Sequence, residues 1–172
     1  ISDSVINNVV VLENCHNKGD LIISEGKGST SRNTYMGGIL ASSHKAFSMH
    51  KCTNSGRIEH GSISTKNANV GGLFGRTYTA SPVSIVDCHN YGDIVSNTTC
   101  TEGNYVAGCI SLMSLKSYSS TDPILTTIKN VTNSGTVTVN GKSTKGRQIG
   151  GVIANINNIA TQYTIEDLSN SG

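Results

Sequence analysis

Apolar and polar residues alternate along this chain in short runs, and the runs recur on a common template. Around Cys15, Cys52, Cys88, Val131 and Leu168, the residues three positions earlier are apolar (Leu12, Met49, Ile85, Ile128, Ile165). Those five earlier are mostly apolar (Val10, Phe47, Val83, Thr126, Tyr163), and those one earlier are all polar (Asn14, Lys51, Asp87, Asn130, Asp167). Asn always follows two positions later and Gly four later, with Leu21, Ile58, Ile94 and Val137 six later. A period of two is the strand signature. The break in that period just before the Cys/Val/Leu position predicts a bulge or bend. The N-x-G step predicts a turn, followed by a second strand.

A second marker accompanies the first: "YMGGILA" at Tyr35, "NVGGLFG" at Asn69, "YVAGCIS" at Tyr105 and "QIGGVIA" at Gln148. It adds a third strand, whose glycine pair suggests close approach of another backbone or a bulky neighbour. Both residues after the pair are apolar, so alternation alone does not assign the inward one. The template steps by 37, 36, 43 and 37 residues, which is the spacing of a solenoid or array. Units of about 1–41, 42–75, 76–111 and 112–154, with a partial 155–172, form one repeat domain. Because the chain starts at Ile1 rather than Met, we read it as a fragment of a longer one. Three short strands cannot bury a face alone. Parallel stacking of the units does so, with coils about 4.8 Å apart.

In such a stack Asn17, Asn54, Asn90, Asn133 and Asn170 lie over one another. Each carboxamide can donate to the next and accept from the previous one, the logic of Asn ladders in cross-β assemblies. Gly19, Gly56, Gly92 and Gly135 are expected to supply positive φ in the second half of the turn. The column occupied by Cys, Val or Leu reads as apolar interior, because a free thiol behaves as a small hydrophobe. Cys109 replaces Ile39, Leu73 and Val152 and reads as core too. Cys100 falls in a loop, as a free thiol or a partner for Cys109.

Composition agrees with an all-β chain: 19 Gly, 2 Pro and no Trp. A net charge of +2 with 14% charged residues gives no reason to expect nucleic acid or an anionic membrane as partner. The longest apolar run, "VVVL" at Val9, is far too short for membrane insertion.

Little in the titratable residues suggests chemistry. His16 and His89 share a register but sit two coils apart, too far to share a zinc ion. Asp20 and Asp93 match in register while Arg57 and Thr136 fill the other units, so no carboxylate pair forms. No catalytic residue, metal or cofactor is expected. Tyr35 and Tyr105 share an outward register and are the candidate contact surface. "NTT" at Asn97 and "NVT" at Asn130 are glycosylation sequons. The polar segments 25–34, 42–46, 97–103, 115–123 and 141–147 vary in length between units. Such insertions gather on one flank of a solenoid and often form its binding face.

The markers "GGILA", "GGLFG" and "GGVIA", alternating with C-x-N-x-G-x-I, resemble the repeats called GLUG motifs over nearly the whole chain. The best match is Val70 to Gly75, and Ala107 departs by replacing the first Gly. That resemblance implies a right-handed parallel β-helix or related β-solenoid outside the cytoplasm. It points to large bacterial surface and secreted proteins, including the stalks of immunoglobulin-cleaving metallopeptidases. The peptidases' H-E-x-x-H motif is absent, so no peptidase activity carries over. The expected function is a non-catalytic stalk or adhesion segment of an extracellular or cell-surface protein. Its partners would be neighbouring repeats of the same longer chain, other copies of itself, glycans or host surface proteins. The alternatives are a carbohydrate-binding or polysaccharide-cleaving β-helix and a self-assembling extracellular fibre component.

Overall fold

A computed structural model describes residues 9–26, 28–79, 81–116, 124–159 and 161–172. Every regular element among them is a strand, and every strand pairing is parallel. The chain is a β-solenoid of four coils and the start of a fifth. The first sheet stacks Val10–Glu13, Phe47–His50, Val83–Asn90, Ile124–Asn133 and Thr161–Asn170. The short strands His16–Asn17 and Thr53–Asn54 extend it beyond the bend in the first two coils. The second sheet holds Leu21–Ile23, Ile58–His60, Ile94–Ser96 and Val137–Val139. The third holds Thr34–Gly37, Ala68–Gly71, Asn104–Ala107 and Arg147–Gly150. The fourth holds Leu40–Ser43, Phe74–Thr79, Ile110–Lys116 and Ile153–Ile159. A small pairing of Ser64–Thr65 with Thr99–Cys100 lies between the second and third sheets in chain order.

The register is the one the repeat template predicts: Cys88 pairs with Val131, and Asn90 with Asn133 and Asn54. The glycine-pair marker behaves differently from expectation. It is a corner between the third and fourth sheets, not the middle of one strand. The corner explains why alternation was silent there: Leu73 and Phe74 are both fully buried, as are Cys109 and Ile110.

The break before the Cys/Val/Leu position is a left-handed residue repeated in every coil. Asn14, Lys51, Asp87, Asn130 and Asp167 have φ of 51°, 52°, 53°, 50° and 54°. Asn and Asp tolerate this region better than other non-glycine residues, and they fill four of the five places. The resulting kink turns both flanking positions inward, so Met49 and Cys52, Ile85 and Cys88, and Ile128 and Val131 are all buried.

The invariant glycines have a different role from the one expected of them. Among the described residues the only glycine with positive φ is Gly146. A Cβ on Gly56, Gly92 or Gly135 would instead lie 2.0 Å from the carbonyl oxygen of Gly19, Gly56 or Gly92, the same glycine one coil earlier. Axial stacking, not turn conformation, excludes a side chain there.

The interior is divided in two. One apolar cluster lies between the first and fourth sheets and is centred on Phe47 and Phe74, whose rings are 4.8 Å apart. The other joins Ile58 and Ile94 of the second sheet to Met36, Val70 and Val106 of the third. All five cysteines are free; Cys52, Cys88, Cys100 and Cys109 are buried. Burial pushes the thiols of Cys88 and Cys109 up to about 12.

Candidate functional site

The Asn column forms a continuous ladder. The Nδ2 of Asn17, Asn54, Asn90 and Asn133 each donates to the Oδ1 of the next Asn at 2.7 Å. The second N–H of each goes to the carbonyl two residues on, at Gly19, Gly56, Gly92 and Gly135, at 2.7–2.8 Å. Both donors of every rung are therefore satisfied in a place where Asn54 and Asn90 have no exposure. The second glycine of the corner seats this ladder. A Cβ on Gly72 or Gly108 would fall 2.3 or 2.2 Å from the Cγ of Asn90 or Asn133. Turn and corner thus meet across the waist of each coil.

Several outward polar residues also serve stacking. Asp20 and Asp93, matched in register, accept the backbone N–H of Arg57 and Thr136 one coil on, at 2.8 and 2.9 Å. His16 and His89 each bond a threonine of the adjacent coil, Thr53 and Thr132, through Nδ1 at 2.8 Å. His50 bridges Glu13 and Asp87 at 2.9 and 3.2 Å. The carboxyl of Asp87 is held below its usual range by Asn130 first and His50 second. Both sequon asparagines are engaged between coils. Asn97 accepts from Asn140 at 2.9 Å, and Asn130 donates to Asp87 at 2.8 Å.

Of the two tyrosines singled out by register, Tyr105 lines a concave region of the outer surface, and Tyr35 borders it through Arg76. The outward column of the third sheet runs Tyr35, Asn69, Tyr105, Gln148. At the glycine corner it meets the outward column Ser42, Arg76, Leu112, Asn155 of the fourth sheet. The two columns touch: Arg76 Nη1 donates to the Tyr35 hydroxyl at 2.9 Å, and Asn155 bonds Gln148. The outer surface is therefore concave at this corner, and a groove runs along the axis. Its two adjoining pockets, of about 290 and 320 Å³, share Asn67, Glu102 and Tyr105. The ring of Tyr105 packs against Gly103, where a Cβ would come within 2.6 Å of it.

Charge in the groove is ordered by the same register. Glu102 lies between Lys66 and Lys145, at 3.9 and 3.3 Å. Asn67 donates to Glu102 at 3.3 Å, and this bond is the main reason its carboxyl sits below the usual range, with Lys145 next. Arg76 lies 5.5 Å from the ring centres of both Tyr35 and Tyr78. Two buried polar atoms of the groove are left unpaired, Asn69 Oδ1 and Arg76 Nε. Reading the sequence missed Lys66, Asn69 and Arg76, because corner curvature has no signature in a period of two. Glu102 and Lys145 do fall in polar variable segments, 97–103 and 141–147, which was the available signal. Of the variable segments, residue 27 of 25–34 and residues 117–123 of 115–123 lie outside the described residues.

Among the described residues, no group of three or more His, Cys, Asp or Glu side chains converges on a common point. No protein-family model, no curated protein and no solved structure matches the chain.

Proposed function

We propose that this chain is a non-catalytic structural segment of a secreted or cell-surface repeat protein, in which the coil stack serves as a stiff stalk or adhesion spacer. One observation carries the reading: the same inward columns and Asn ladder repeat in register through every coil, so each coil presents to the next the kind of face that it covers itself. Leu21 is 38% exposed where Ile58 and Ile94, in its column, are 0%. At the other end Ile165 is 43% and Ile149 53% exposed, where Ile128 and Val106 are 0%. These surfaces are apolar and edged by unpaired strand positions. What fits them is another coil of the same construction, from neighbouring repeats or from a second copy. The interior supports the same reading, since its buried Asn column is used in coil-to-coil bonds. The GLUG resemblance supports an extracellular setting.

The test is light scattering and sedimentation of the chain over a concentration series, together with incubation against a polysaccharide panel. The expected result is elongated end-to-end association, abolished by Leu21→Lys with Ile165→Lys and unaffected by Leu125→Lys on the lateral surface. A monodisperse monomer at high concentration, or shortened oligosaccharide products, overturns it.

A further inference from the structure

The axial groove at the corner of the third and fourth sheets has features that a spacer does not need. Its walls carry Lys66, Arg76, Lys145 and Arg147 against the single carboxylate of Glu102, so four positive charges less one negative leave +3. The whole chain carries only +2, so positive charge is concentrated here. A concave, partly desolvated surface strengthens the field of such a cluster toward an anion. An aromatic ring, Tyr105, stands at the junction of both pockets. Around it are carboxamides: Asn33 and Asn67 are tied to each other, to Tyr35, to Glu102 and to the Gly103 N–H, while Asn69 keeps an acceptor in reserve.

Two of the groove's polar atoms lack a partner. Asn69 is only 1% exposed, yet its Oδ1 accepts nothing; its Nδ2 donates to Thr34 O at 3.4 Å. Arg76 uses Nη1 on Tyr35 but leaves Nε unbonded. Buried polar atoms are ordinarily paired, so two unpaired ones in a single groove mark a place where a ligand supplies the missing groups. The missing groups are a hydroxyl donor for Asn69 and an anionic oxygen for Arg76.

We propose that this groove binds a carboxylate-bearing saccharide. Hydroxyls match the carboxamides, a sugar ring face matches Tyr105, and the carboxylates match the lysine and arginine side chains. A neutral sugar leaves the excess charge unanswered, and a simple anion leaves the carboxamides and the ring unused. Because the groove residues Lys66 and Lys145 are two coils apart, about 10 Å, the occupant spans more than one sugar unit. The inference stands apart from the spacer reading, since a monomer that never stacks end to end presents the same groove.

The experiment is calorimetric titration of the chain with a hexagalacturonate and with a hyaluronan octasaccharide. Cellohexaose and a ten-nucleotide oligothymidylate serve as comparisons. Expected is binding of at least one acidic oligosaccharide, weakened at higher salt and at least tenfold tighter than cellohexaose. Lys66→Gln with Lys145→Gln lies on exposed side chains and leaves the melting curve intact; it weakens binding at least fivefold. Tyr105→Ala does the same without altering the salt dependence. Absence of binding to either acidic oligosaccharide at millimolar concentration overturns the proposal. So does undiminished affinity in the lysine variant, or tighter binding of the oligonucleotide or the neutral sugar.

Discussion

Single residues in this molecule are chosen by what lies directly above and below them. Gly92 is the clearest case: a methyl group there meets the Gly56 carbonyl at 2.0 Å, and that atom is backbone in the same stack. Gly92→Ala is expected to destabilise more than Asn90→Ala. The latter leaves the Asn54 amide, the Gly92 carbonyl and the Asn133 Oδ1 unpaired, a loss of ~1–3 kcal/mol. Urea unfolding midpoints of the two variants check both the size and the order. Lys51 is the opposite case, a residue kept against its backbone preference at φ 52°. Lys51→Asn conforms to the other coils and is expected to raise stability by roughly 0.5–1 kcal/mol, read from the same midpoints. His60 is fully buried with neither ring nitrogen bonded, and burial holds its imidazole down to about 4 from the ordinary 6.5. The unfolded chain therefore binds a proton that the folded one refuses. Stability is expected to fall as pH drops from 6.5 toward 4, by on the order of 3 kcal/mol across that window. His60→Val, which matches Val139 in its column, removes this slope in unfolding curves taken between pH 7.5 and 4.

At the level of strands and turns, most of the architecture was legible in the amino-acid pattern, for a physical reason. In a parallel stack with constant register each position meets its own counterpart, so like residues recur at fixed steps and disclose the register directly. The Asn column, the inward Met49, Ile85 and Ile128, and the kink before Cys88 were all readable in this way. Two features were not. In the sequence the glycine corner reads as one strand, because Leu73 and Phe74 both turn inward around it and erase the alternation. The groove was only half visible: Tyr35 and Tyr105 stood out in register, while Lys66 and Arg76 come from different segments and meet only through curvature. Burial of Cys52 and Cys88, by contrast, followed from the Cys/Val/Leu column, whereas Cys100, expected in a loop, is buried in the strand Thr99–Cys100. Its consequence is a reactivity pattern: a disulfide-exchange reagent at pH 8 is expected to modify Cys15 quickly. The other four react only on the timescale of unfolding, as counted by thiol release with and without denaturant.

For the whole molecule, the waist formed by the ladder and the corner glycines ties two narrow apolar interiors into one rod. Neither interior is wide, so the stack is held together by repetition along the axis. The carboxamide row also has a sense, since every rung hands its hydrogen toward the C-terminal coil. The N-terminal face therefore offers an oxygen, and the C-terminal face a hydrogen. Two faces of the same kind are mismatched along this row: two N-terminal faces set lone pair against lone pair, and two C-terminal faces N–H against N–H. Any filament grown from these coils is vectorial, each subunit repeating the heading of the last, with no dyad at which it could close.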